Sequence, residues 1–193
     1  MIPRPFARFF SLALGCVMLL AFTSGCRSAA QTAFLHENAD LGAIQKVAVL
    51  PFENMSSERT AGDKVQKIFY LELLSLRVFD VAEPGAAARA VRPPDVPNLT
   101  PADFQRIGKE LGVDAVFTGA VVDFAETRSG ATPTPEVTVQ LRLVECGTGS
   151  TIWSTGQTRS GATVATRLFG VSGDSLTEAA RGIVRSELRT LLK

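Results

Sequence analysis

Few side chains in this sequence could carry covalent or acid–base chemistry. There are three cysteines, Cys16, Cys26 and Cys146, and one histidine, His36. His36 falls in a polar stretch that reads as a solvated linker, so a histidine-based triad inside a folded domain is not expected. Ser172, in Gly170-Val171-Ser172-Gly173, lacks the G-x-S-x-G turn and reads as a helix cap. Asp63, Asp80, Asp114 and Asp123 could be imagined as a carboxylate site, but three of them fall at or near predicted strand ends, where acids commonly cap turns. Cys/His spacing for zinc is missing, and no glycine cluster forms a phosphate loop. The expectation is no catalytic residue, no metal and no cofactor.

Cys26 is the residue with a chemistry of its own. It follows a basic start, Met1 to Arg8, and a 14-residue apolar run, Phe9 to Phe22. A spanning helix needs ~20 apolar residues, so the run fits a secretory signal better. The segment ends in Thr23-Ser24-Gly25-Cys26, which resembles a bacterial lipobox, with Thr23 where an aliphatic residue is commoner. In a lipobox the thiol is acylated and the cysteine becomes the new N-terminus. Processing at Cys16 would leave only Phe9 to Leu14 as apolar run, which is too short. Each buried methylene contributes ~0.8 kcal/mol and two lipid chains already give stable anchoring, so a triacylated Cys26 would hold the chain essentially permanently. The competing reading is ordinary secretion with an incidental cysteine. Arg27, rather than aspartate, follows; in a Gram-negative cell the resemblance then implies the outer membrane, with the chain on its periplasmic face.

This divides the chain into a signal peptide (1–25), a lipidated tether (26–43) and one domain (44–193). Removing the signal leaves 168 residues, with 18 basic and 19 acidic side chains. That length suits one domain with a proper core. The near-neutral charge carries no electrostatic footprint for nucleic acid. Cys146 is then the last free thiol, so no intrachain disulfide can form. It ends a strand-like run and is expected to be buried rather than paired between chains.

Patterning supplies the elements. Lys46 to Phe52 is a short apolar run stopped by Pro51 and reads as a strand buried on both faces. Thr60 to Leu76 carries Val65, Ile68, Phe69, Leu73 and Leu76 at helical spacing. Val78 to Val81 suits a second strand, Ala86 to Val91 a short helix, and the proline-rich 92–98 a loop. Arg89 and Arg92 beside that loop read as exposed and partner-facing. Thr100-Pro101-Ala102-Asp103 opens a helix that Gly112 ends. Asp114 to Phe124 is the best central strand, followed by a loop over 126–136. Val137, Val139, Leu141 and Leu143 alternate with polar residues, and Thr151 to Thr158 returns as a partner strand after Gly149. Residues 159–171 are ambiguous. A final helix runs from the Ser172–Ser175 capping region to about Leu192. The order predicts an α+β domain with a mixed sheet flanked by helices.

Four passages then look familiar together: Val47-Ala48-Val49-Leu50-Pro51-Phe52-Glu53-Asn54; Phe79-Asp80-Val81; Leu111-Gly112-Val113-Asp114-Ala115-Val116-Phe117-Thr118-Gly119; and Leu141-Arg142-Leu143-Val144 with Thr148-Gly149 and Ile152-Trp153-Ser154. Over about 44–190 their succession resembles the CsgG/TolB-N-like periplasmic lipoproteins. That group includes the curli secretion channel subunit, the PelC exopolysaccharide-export lipoprotein and the LpoB-type activators of peptidoglycan synthases. The matching residues make turns, strand ends and core, so the resemblance specifies a fold more firmly than a function. It implies a non-enzymatic, self-associating accessory or scaffold subunit of an envelope assembly or export complex. Its partners would be the membrane, further copies of the chain, and envelope or export proteins. An LpoB-like regulator of a peptidoglycan synthase is the alternative, disfavoured by a tether of only 17 residues. A small hydrolase on an unfamiliar scaffold is the least supported. The 11-residue loop 126–136 is too short for the membrane-spanning hairpin of the curli channel, so no pore is expected from this chain alone.

Overall fold

Lys46-Val47-Ala48-Val49 puts apolar side chains on both sides of one strand, and both sides are covered. The computed structural model describes residues 31–37, 39–129, 132–160 and 175–192. The strands are β1 (Gln31–Leu35), β2 (Lys46–Val49), β3 (Glu53–Asn54), β4 (Asp80–Val81), β5 (Ala115–Ser129), β6 (Thr132–Glu145) and β7 (Thr151–Ser160). The helices are α1 (Ala61–Leu76), α2 (Pro84–Ala90), α3 (Pro101–Leu111) and α4 (Leu176–Leu191). Short 3-10 turns lie at Leu41–Ala43 and Pro93–Asn98.

One mixed sheet runs β1-β7-β6-β5-β2-β4, with β3 pairing β5 beyond the end of β2. β2 lies parallel to β4 and β5, while the β5–β6–β7–β1 half is antiparallel throughout. Val47 and Val49 face a core shared with α1 and α4; Ala48 and Leu50 face a second core shared with α2 and α3. The first core holds a run of aromatic rings, Phe52–Phe69–Phe117–Trp153, with centroids 5.1–6.2 Å apart. Trp153 is fully buried and its Nε1 donates to Thr190 Oγ1 at 3.1 Å, so the indole meets α4 with its polar atom satisfied.

The helix signals work locally. Thr100 Oγ1 accepts from the Asp103 amide and Asp103 accepts from the Thr100 amide, a reciprocal capping box. Gly112, at φ 62°, closes α3 in the left-handed region. Ser175 and Glu178 make the same box for α4, so Ser175 is its cap, and Ser172 lies outside the described residues.

Two expectations are corrected. The stretch read as a tether contributes β1: Gln31 to Leu35 pair antiparallel with Gln157 to Trp153, and Thr155 Oγ1 donates to the Thr32 carbonyl. The segment 126–136, read as a loop, is strand except around its turn, with Glu126 opposite Pro135 and Ser129 opposite Thr132. The prolines misled. β7 is described as far as Ser160, opposite Glu136, and Pro133 and Pro135 lie past that row, opposite Arg128 and Glu126 of β5. Proline met along a sequence argues against a strand because it cannot donate to a ladder. The loop length therefore no longer bears on pore formation. Of the ambiguous 159–171, Arg159 and Ser160 belong to β7 and the rest lie outside the described residues. No described helix is long and apolar enough to cross a membrane.

Candidate functional site

The α2–α3 layer does not cover its whole sheet face. Its core reaches Ala48 of β2 and Leu50 just after it, Val116 near the start of β5, and Val144 near the end of β6 with Cys146 just after it. Beyond that no described helix covers the same face, whose side chains are partly or fully exposed except at the buried Thr118. Residues opposite one another in an antiparallel pair share a face, so the register defines its rows. Thr118, Arg142, Ser154 and Phe34 form one; Ala120, Gln140, Gly156 and Thr32 form the next. Thr138 and Thr158 hydrogen-bond to each other at 3.0 Å one step further on.

Arg142 is the chemically distinctive group there. Its guanidinium lies over the Phe104 ring, 5.7 Å from the centroid, on a helix that the Thr100 box holds in place. Burial pulls Arg142 below the usual arginine value. Other arginines pair with acids: Arg92 with Asp95, Arg106 with Asp103 and Glu110, and Arg181 and Arg185 with Glu72. Among the described residues Arg142 has no such partner. It borders a basin of about 250 Å³ with Thr118, Gln140, Ser154, Glu53 and Pro97. One cation, one carboxylate, two hydroxyls and an amide make a hydrogen-bonding surface suited to a hydroxyl-rich partner.

The residues singled out from sequence do not come together at this basin. Cys26 lies outside the described residues. His36 is exposed, its amide donating to the Ile152 carbonyl at 2.8 Å. Asp114 plays a structural part, because its Oδ2 accepts from the Gln45 and Lys46 amides at 2.9 Å and so joins the starts of β2 and β5. Those two bonds hold its carboxyl below the usual range. Asp63 opens α1, Asp80 starts β4 and Asp123 is on β5. Among the described residues no group of three or more His, Cys, Asp or Glu side chains could hold a metal. Cys146 is buried against Gly108, and burial pushes its thiol up to about 11. Arg92 and Arg89 are exposed, and Arg92 is held by Asp95. Alternation alone gives Arg142 a solvent-facing position, so patterning does not single it out.

The described residues make an α+β domain with a mixed sheet flanked by helices. No protein-family profile and no curated protein matches the chain. Solved structures do. The PelC dodecamer from Paraburkholderia phytofirmans superposes with a TM-score of 0.60 at 21% identity, covering 84% of this chain and 97% of that one. Lipoprotein GNA1162 from Neisseria meningitidis gives 0.56 at 16% identity, covering 77% and 97%. The protein CT253 from Chlamydia trachomatis gives 0.52 at 15% identity, covering 78% and 94%. The chain shares the fold of this group of structures, lipoproteins among them.

Proposed function

We propose that this protein is a non-enzymatic lipoprotein, acylated at Cys26 and anchored in the outer membrane with its domain in the periplasm. There it self-associates as an accessory or scaffold subunit of an envelope assembly or export complex. The observation that carries the reading is the likeness in fold to the PelC dodecamer, which spans most of both chains. The polar face around Arg142 supports it, because it gathers a guanidinium, a carboxylate, two hydroxyls and an amide as recognition groups. A regulator reaching far across the periplasm is less well supported: β1 takes up residues 31–35 and leaves four residues between the sheet and Cys26.

Light scattering on residues 27–193 and on the lipidated chain tests the reading. A discrete high-order mass in either form is the expected result. A monomer in both overturns self-association. Turnover of esters or phosphoesters that is lost on substituting a single acid would overturn the non-enzymatic reading.

A further inference from the structure

The strand register fixes which end of the domain faces Cys26. Gln31 lies opposite Gln157, Gln157 opposite Val139, and Val139 opposite Val121, so the four share one row across the sheet. β1 is antiparallel to β7, β7 to β6, and β6 to β5. The chain therefore leaves Gln31 toward Cys26 in the same direction in which β5 and β6 run on to their turn. The opposite end carries the β6–β7 turn at Gly147 to Ser150 and the C-terminus of α3.

Lengths then decide what touches the membrane. Between Val139 and Thr132 are seven strand steps of ~3.3 Å, so the β5–β6 arm extends ~23 Å past the row. Cys26 is five residues from Gln31, a span of at most ~18 Å when fully extended. The arm outreaches the anchor. With the lipidated cysteine held at the headgroups, the domain cannot stand on this end without its arm meeting the same layer.

We infer that the β5–β6 arm is a second membrane contact, resting on lipid headgroups beside the acylated Cys26 and holding the Gly147 turn away from the bilayer. The inference rests on the lipidation reading above. The arm's chemistry suits the headgroup layer. Past Glu136 the described pairing is β5 with β6, and along it Glu126 and Thr127 are exposed while Thr134 and Pro135 are buried. Charged and hydroxyl side chains favour headgroups, whereas a spanning strand needs a continuous outward apolar band over ~9–11 residues.

The test uses the full lipidated chain in vesicles of phosphatidylethanolamine with a minor share of phosphatidylglycerol. In a Cys146→Ala background, a fluorophore is placed by Glu126→Cys on the arm or by Thr148→Cys at the far turn, both exposed positions. A headgroup-attached quencher should quench the Glu126→Cys label several-fold more than the Thr148→Cys label. Equal quenching, or the reverse order, overturns the inference. Flotation of the parent against Cys26→Ala reads the anchor separately. A parent that does not float overturns the lipidation reading and this inference with it. A parent that floats with the arm label unquenched overturns the orientation alone.

Discussion

Glu187 is a conspicuous cost among the described side chains. It is fully buried in α4, and neither carboxylate oxygen has a hydrogen-bond partner among the described residues. Burial pushes it up to about 9. The folded state therefore keeps the proton while the unfolded chain releases it above the ordinary carboxylate value. Above that value the unfolded chain binds fewer protons, so stability falls as pH rises toward about 9. At neutral pH this amounts to about 3 kcal/mol. Glu187→Gln should remove the slope and raise the urea midpoint more at pH 8 than at pH 5. Equal midpoint shifts at both would show that the carboxyl ionises freely in the fold. Arg142 makes the complementary case. A half-buried cation without an acid partner contributes little to stability, so Arg142→Leu should leave the melting temperature unchanged or higher. If the open face is the working surface, the same variant loses assembly in cells. A variant that melts much lower would assign Arg142 a structural role instead.

At the level of elements, α3 and β1 are opposites. α3 could be read whole, because Thr100, Pro101, Asp103 and Gly112 act within one segment. Thr100→Ala should cost about 1 kcal/mol in thermal or urea unfolding, the usual loss of a capping side chain; no change would mean the box is idle. β1 could not be read. Gln31-Thr32-Ala33-Phe34-Leu35 is too short to declare itself, and its partner strand lies more than a hundred residues away. The β5–β6 arm was hidden by Pro133 and Pro135, which along a sequence read as strand breakers. The basin at Arg142 was hidden for a similar reason: what makes it is a helical layer ending early, and patterning along a strand does not record that. Deleting residues 27–35 should bare the edge of β7 beside Trp153. Such a chain is expected to aggregate, or to bind an amyloid dye, under conditions where residues 27–193 remain dispersed. Unaltered solubility would show that β1 is dispensable for guarding that edge.

For the molecule as a whole, the two sheet edges are unlike. β1 offers five residues, with Phe34 51% and Leu35 44% exposed, whereas β4 offers two residues, Asp80 and Val81. Contacts that joined one edge to the other would be head-to-tail, the kind that closes into rings when the rotation allows. The pairing of β1 with β7 also sets a timetable. Contacts between distant segments form slowly because a long loop must close first. A chain that emerges N-terminus first exposes β1 first, yet β1 cannot find its place until β7 has arrived and paired with β6. The first strand to emerge is thus the last strand to be seated. Through that interval the growing sheet ends in a vacant edge, and a neighbouring copy's first strand could fill it as well as its own.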